Sequence, residues 1–186
     1  MKNKNLIIGA AIVVIALAGL FFYWSENKEE KVSGETIRIG AVLGLTGSAA
    51  TDSLNVKRGL DLAKEDLAKK RINVEIVYQD GEDDAKKTIS AVQFLIATDK
   101  PQAIIGPIWS YLEEAAAPVI TENKIIAYAP ADTSEFVSAR SPYLFRGAPR
   151  NILIQKPVAE WLIVNNKKRV VVVVDKSAWG ASVQKP

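Results

Sequence analysis

Two short stretches hold most of the side chains that could contact a ligand: GPIWSYLEE at residues 106–114 and APADTSEF at residues 129–136. In the first, Ser110 precedes a helical pattern whose first turn contains Glu113 and Glu114, as an N-cap with its capping-box partner would. The Ser110 hydroxyl and the free backbone amides after it could also receive a ligand carboxylate, favoured by the helix dipole. These two roles are compatible, and the sequence leaves both open.

The second stretch places short polar residues directly after an apolar run. Such residues usually form a turn and a helix cap, but Thr133 could add a second hydroxyl to the same carboxylate site. Asp132 has no acid or base partner visible in the sequence. Trp109, in the first stretch, would either pack in the core or form a wall of a pocket. The chemistry available here is therefore binding through hydroxyl and amide groups.

Composition excludes several classes of catalytic site. The 186 residues include no cysteine and no histidine, which rules out thiol nucleophiles, disulfides and histidine-based triads. The first glycine-rich loop is spaced GxxxGxxG and lacks both the dinucleotide fingerprint and a P-loop lysine. A net charge of +3 without a basic stripe argues against a nucleic-acid partner. We expect a binding protein that is not an enzyme, with no cofactor and no metal; a Rossmann-type nucleotide-binding enzyme is the weaker alternative.

The elements that would position these residues alternate between strand and helix. Several strands are apolar throughout, which indicates a parallel sheet covered on both faces, and we predict an α/β fold with an open doubly wound parallel sheet. Ligands of such sheets bind beyond the carboxyl ends of the strands. The predicted strands are residues 36–43, 72–78, 102–106, 124–130, 143–147 and 169–175, the last having the strongest pattern; helices are predicted at about 53–70, 84–96 and 111–123 and from Asn151, with an internal Pro157.

The N-terminal residues 1–24 predict either a signal anchor or a cleaved signal peptide. Residues 6–24 carry no charge and follow two lysines; as a helix they would span roughly 28 Å, close to the hydrocarbon thickness of a bilayer. We expect an uncleaved anchor with a cytoplasmic N-terminus. Residues 25–35 are charged and aperiodic and predict a tether. Either alternative delivers the remainder of the chain outside the cytoplasmic membrane.

In order along the chain, the segments at the strand ends resemble the branched-chain amino acid (leucine/isoleucine/valine)-binding family of type I periplasmic substrate-binding proteins of ABC transporters. IGAVLGLTG at 39–47 is similar to the family opening I-G-x-x-x-P-L-T-G, with Gly44 in place of the proline. The other similar segments are IIGPIWS at 104–110, IIAYAPADT at 125–133, YLFRGAPRN at 143–151 and DKSAWG at 175–180. The resemblance implies a ligand-binding lobe at residues 36–148, the truncated start of a second similar lobe at 149–186, and hence an N-terminal fragment.

The resemblance also implies a function and a set of site residues. Ser110 and Thr133 would hold the ligand carboxylate, Ala131 would contact the ligand, and Trp179 would close over it as a hinge at residues 147–149 brings in the second lobe. Asp52 stands where family members often carry an aromatic residue, which would favour a polar or basic ligand. The implied partners are a small-molecule ligand, an ABC transporter permease and, through residues 6–24, the membrane. A membrane-tethered sensor is the alternative.

Overall fold

The computed structural model describes residues 35–47, 50–134 and 140–174, together with Lys176, Gly180 and Val183. Its strands form one five-stranded parallel sheet in the order β2-β1-β3-β4-β5. Strands and helices alternate along most of this part of the chain, and the predicted α/β class with a parallel sheet is confirmed. The strands are β1 (Ile37–Leu43), β2 (Val74–Asp80), β3 (Ala103–Ile105), β4 (Ile126–Ala129) and β5 (Leu144–Arg146); the helices are α1 (Ala50–Lys69), α2 (Ala85–Phe94, extended by a π-helical turn at Leu95–Asp99), α3 (Ser110–Glu122) and α4 (Asn151–Val164).

The two faces of the sheet carry separate apolar clusters, because successive residues of a strand point to opposite faces. On one face, Val42 of β1 packs with α2 and α3 in a cluster that also contains Ile104, Ala127 and Leu144. On the other face, Ala41 and Leu43 pack with Ile108 and with side chains of α1. Helices therefore cover both faces of β1, as a doubly wound sheet requires.

Local sequence signals set several of the boundaries. Helix α2 begins after Asp84, whose carboxylate accepts hydrogen bonds from the amides of Lys86 and Lys87, each at 2.9 Å. At the end of β3, Gly106 has a φ of +91°, and a Cβ there would lie 2.1 Å from the carbonyl oxygen of Val42. Only glycine fits this close approach between β1 and the chain leaving β3.

One predicted strand end differs from the structure, and one predicted helix start is confirmed. Strand β2, predicted over residues 72–78, continues to Asp80, which pairs with Leu43 at the end of β1. Parallel pairing with the full length of β1 extends the strand beyond its apolar alternation. Helix α4 begins at Asn151, as predicted, and continues through Pro157 to Val164.

The valine-rich run predicted as the last strand is not a strand: residues 169–174 pair with no strand among the described residues. Val171 and Val173 are 89% and 90% exposed. β-branched composition favours a pleated, half-buried surface, but a strand forms only beside a neighbour that takes its hydrogen bonds. Many apolar side chains of helix α4 are also exposed, among them Trp161, Ile163 and Val164. That residues 149–186 start a second lobe stays a prediction, as do the other domain boundaries.

Several predictions concern residues outside the described part of the chain. The anchor or signal peptide at residues 1–24, the tether up to residue 34, and Trp179 all lie there. Within the described part, none of the helices combines the length and the apolar character needed to cross a bilayer.

Candidate functional site

The candidate site lies at the carboxyl edge of the sheet, where β1 separates from β3. Strand β1 pairs with β2 on one side and with β3 on the other, so the chain reverses its direction of winding there. Such switch points are the usual ligand sites of open α/β sheets. A small cavity of about 10 Å³ lies at this point, lined on the β1 side by Gly44, on the β3 side by Ile108 and Trp109, and on α1 by Ser53.

Ser110 does not cap its helix, so the capping-box prediction is wrong. Trp109 is the N-cap residue of α3, with extended backbone angles and no side-chain capping bond, and Ser110 is the first helical residue. The Ser110 hydroxyl instead donates a 2.6 Å hydrogen bond to Oδ1 of Asp132, just after β4. Asp132 Oδ1 also accepts from the amide of Ser134 at 2.8 Å. Both members of the Ser110–Asp132 pair are buried, with 4% and 0% of their surfaces exposed.

Glu113, one turn along α3, is a second buried acid beside Asp132. It is fully buried, and neither carboxyl oxygen has a hydrogen-bond partner among the residues that the structure describes. Burial and, to a smaller extent, the nearby Asp132 raise the pKa of Glu113, the Arg146 guanidinium on β5 opposes them, and the net pKa is about 9. Glu113 is therefore protonated at neutral pH. Asp132 thus has the acid partner that the sequence did not reveal.

Trp109, Ala131 and Thr133 are sequence neighbours of Ser110 and Asp132, in the segments that follow β3 and β4. Trp109 and Ala131, both partly buried, pack against the apolar cluster of Ala41, Leu43 and Ile108. Thr133 is partly buried, and its carbonyl oxygen accepts a 2.8 Å hydrogen bond from the amide of Asn151 at the start of α4. The structure therefore places Ser110, Trp109, Ala131 and Thr133 at neighbouring strand ends.

Asp52 is exposed in the first turn of α1, which follows the loop after β1. Its neighbour Ser53 is the buried residue of that turn, and its hydroxyl oxygen accepts a 3.1 Å hydrogen bond from the amide of Gly44. The sequence predicts residue 53 only as the approximate start of this helix. It joins the start of α1 to the end of β1 at the switch point.

The loop after β1 is held in place by Asp80 at the end of β2. Oδ1 of Asp80 accepts from the amide of Leu45 at 2.9 Å, and Oδ2 accepts from the hydroxyl of Thr46 at 2.6 Å. Partial burial would raise the pKa of Asp80, but the hydrogen bonds from Thr46, Glu82 and Leu45 outweigh it and lower that pKa below its usual range. The carboxylate therefore fixes the loop's backbone as an acceptor across the neutral pH range.

A further acid–phenol contact joins α3 to the start of α2. The Tyr111 hydroxyl donates a hydrogen bond to Asp83. Burial and this bond raise the pKa of Tyr111, so the phenol stays protonated and acts as a donor.

Larger depressions lie elsewhere on the surface. One of about 450 Å³ is formed by the outer side of α3 with Arg140, and one of about 280 Å³ lies before β3 and β4, at the opposite edge of the sheet. Neither is lined by a candidate residue. In the ranges that the structure describes, no three acidic side chains come together as a metal-binding set.

Comparison with known proteins identifies the family. A family model described as periplasmic binding protein matches residues 36–186. The chain belongs to this family. Two relatives are the Leu/Ile/Val-binding protein BraC3 of Rhizobium johnstonii, 30% identical over 152 residues, and the Leu/Ile/Val-binding protein homolog 3 of Brucella melitensis, 27% identical over 150 residues; each alignment covers 77% of this chain.

The solved structures give the same family and fold. The leucine-binding protein LivK of Thermotoga maritima matches with a TM-score of 0.71 and 26% identity over 80% of this chain. The chain spans about two fifths of the length of these relatives. The share of the relative that is covered is 41% for the Rhizobium protein, 40% for the Brucella protein and 43% for the Thermotoga protein. As periplasmic binding proteins these relatives bind solutes, which agrees with the expectation of binding rather than catalysis.

Glu113 and Asp132 are the site residues that sequence reasoning missed or misjudged. Glu113 lies on the same helical stripe as the buried Ala116, Ala117 and Ile120, so the period of α3 could have placed it in the core. A glutamate on an apolar stripe is unusual unless it has a partner or is protonated. Its partner Asp132 follows a different strand, and no local sequence pattern connects the two.

Proposed function

We propose that the chain supplies the first ligand-binding lobe of an extracytoplasmic solute-binding protein. That protein captures an amino acid or a similar small carboxylate between two lobes and delivers it to an ABC-type permease. The observation that supports this most strongly is the match of residues 36–186 to the periplasmic binding protein family. The names of the Rhizobium, Brucella and Thermotoga relatives, all Leu/Ile/Val- or leucine-binding, favour an amino acid with an apolar side chain.

The first lobe would hold the ligand with groups at the ends of β3 and β4. Ser110 and Thr133 would supply hydroxyl groups, Ala131 the backbone, and Trp109 an apolar wall. The second lobe, starting near residue 149, would close on the ligand and bring in Trp179, and a permease would recognise the closed form. A closure of this kind works by population shift, because the ligand contacts both lobes only in the closed state. Residues 6–24 would attach the protein to the cytoplasmic membrane.

The test is a thermal-shift screen of the full-length protein against the amino acids. We expect at least one of them to raise the melting temperature, because a ligand that binds only the folded state stabilises it. Ser110→Ala and Thr133→Ala should each reduce that rise, whereas Ser90→Ala, an exposed serine of α2, should leave it unchanged. If both site variants keep the full shift, the site assignment is wrong. If nucleotides stabilise the protein and amino acids do not, the binding-protein proposal itself is wrong.

A further inference from the structure

The small cavity at the switch point is lined by a residue whose buried hydroxyl group has no partner. Thr88 lies on the buried stripe of α2 with Ala91 and Val92. It is fully buried, and its Oγ1 has no hydrogen-bond partner among the residues that the structure describes. Burying a hydroxyl group without a hydrogen bond is costly, because water satisfies that group in the unfolded chain. Thr88 therefore indicates that the cavity beside it receives a polar molecule.

A glycine leaves the room that this hydroxyl group occupies. Gly81 follows β2, and a Cβ at that position would lie 2.7 Å from Thr88 Oγ1. A larger residue there would displace the hydroxyl group. The amide of Gly81 does not serve Thr88, because it donates a 2.8 Å hydrogen bond to the carbonyl oxygen of Leu43. The hydrogen-bonding capacity of the Thr88 hydroxyl group is therefore left for the cavity.

Ser53 of α1 is a second hydroxyl-bearing residue in the lining of the same cavity. Ser53 is fully buried, and its oxygen accepts a 3.1 Å hydrogen bond from the amide of Gly44. That bond uses a lone pair of the oxygen, so the hydroxyl proton is left to be donated. Asp83 is a third polar residue of the lining, and the rest of the lining is mainly apolar. A polar molecule in the cavity is therefore held chiefly by these side chains.

The size of the cavity restricts what it can bind. Its volume is about 10 Å³, which is close to the least that one water molecule needs. An amino acid or a hydrated metal ion is far larger. We propose that this cavity is a binding site for one water molecule, held by the hydroxyl groups of Thr88 and Ser53. The water accepts the proton of Ser53 and can either donate to Thr88 or accept from it, since water and a hydroxyl group are each both donor and acceptor.

The water joins three elements that meet at the switch point. Through Ser53 it is linked to the amide of Gly44 after β1, and through Thr88 it is linked to α2. Buried waters of this kind typically make about three hydrogen bonds and are part of the fold. The water therefore helps to fix the start of α1 and the loop after β1, which Asp80 holds from the side of β2. This inference goes beyond the proposed function and does not depend on it, because no solute takes part.

The first test is a crystal structure of the full-length protein, at a resolution that shows ordered water. We expect one peak of density in the cavity, within hydrogen-bond distance of both Thr88 Oγ1 and Ser53 Oγ. Thr88→Ser keeps the hydroxyl group and should keep the peak, whereas Thr88→Val has nearly the same shape and should lose it. A cavity without density in the unsubstituted protein, or a peak that stays in place in Thr88→Val, would overturn the proposal.

The second test is the melting temperature of Thr88→Val, whose change has opposite signs with and without the water. With the water, the substitution removes one of its partners and should lower the melting temperature by about 2–4 °C. Without it, the substitution removes the cost of an unpartnered hydroxyl group, and a melting temperature that rises or stays unchanged would contradict the proposal. Thr98→Val, at an exposed threonine of the π-helical turn after α2, is the matched control and should have little effect. If Thr88→Val does not fold, the density in the unsubstituted protein and in Thr88→Ser still decides.

Discussion

Replacing Glu113 with glutamine should make the protein more stable at neutral pH and remove most of its pH dependence between pH 5 and pH 8. Glu113 is fully buried beside Asp132 and without a hydrogen-bond partner among the described residues, so its charged form is disfavoured in the folded state. Glutamine has nearly the same shape and cannot ionise. The variant therefore reproduces the protonated state of Glu113 at every pH.

The magnitude follows from the raised pKa. Glu113 titrates at about 9 when folded and near 4.5 when unfolded, so between these values the folded state holds one proton more. Stability then falls as pH rises, by about 1.4 kcal/mol per pH unit. At pH 7, 2.5 units above the ordinary value of 4.5, the loss is about 3 kcal/mol. Glu113→Gln should recover roughly that amount at pH 7 and less at pH 5.

The composition leaves few other groups that titrate in this pH range. The chain has no histidine, and among the described residues Glu113 is the one whose pKa is moved into the range between pH 5 and 9. The N-terminal amine titrates there too, but it is the same in both proteins and cancels in their difference.

The assay is urea denaturation of the unsubstituted protein and the variant at pH 5, 6, 7 and 8, with Glu122→Gln, an exposed glutamate of the same helix, as the control. The difference in unfolding free energy between the Glu113 variant and the unsubstituted protein should grow steadily with pH, while the control difference stays flat. A constant difference across this range would show that Glu113 is not protonated in the folded state, and the reasoning from its burial would be refuted.

Two further changes test the switch point at the carboxyl edge of the sheet. Gly106→Ala should destabilise the fold by about 2 kcal/mol or more, because the positive φ of Gly106 and its close approach to β1 exclude a side chain. Gly59→Ala, on the exposed side of α1 with no atom near its Cβ position, should instead stabilise the fold by about 0.5–1 kcal/mol. Equal effects of the two substitutions in thermal melts would contradict this. Ser53→Ala removes the buried acceptor of the Gly44 amide and should cost about 1–3 kcal/mol in urea denaturation. An unchanged midpoint would mean that this hydrogen bond does not hold α1 to β1.

The sheet was predictable because its signals are local. Alternation of apolar residues predicts β1, and the helical pattern from about residue 84 predicts α2, which begins at Ala85 after its cap Asp84. Strand ends that depend on pairing are harder to predict from local sequence. Strand β2 continues to Asp80 because β1 offers it partners as far as Leu43.

The valine run at residues 169–174 shows the limit of such signals. Its composition is the most strand-like in the chain, yet within the described part of the chain it forms no ladder and remains exposed. Propensity describes how well a residue suits a sheet surface, and it does not supply the neighbouring strand. The same distinction explains α4, whose apolar side chains suit a buried helix and are exposed here.

The chemistry of the candidate site was harder to predict than its position, because it depends on contacts between strand ends that are distant in sequence. Ser110 was identified from its place before a helix, but its partner is Asp132, on the loop after the next strand. Without that carboxylate, the same serine would be a donor at a helix N-terminus and would suit an anion. In the structure, the hydroxyl proton of Ser110 is directed at Asp132 instead. A motif that contains Ser110 alone therefore does not show which hydrogen bonds this serine makes, because its partner lies on another strand end.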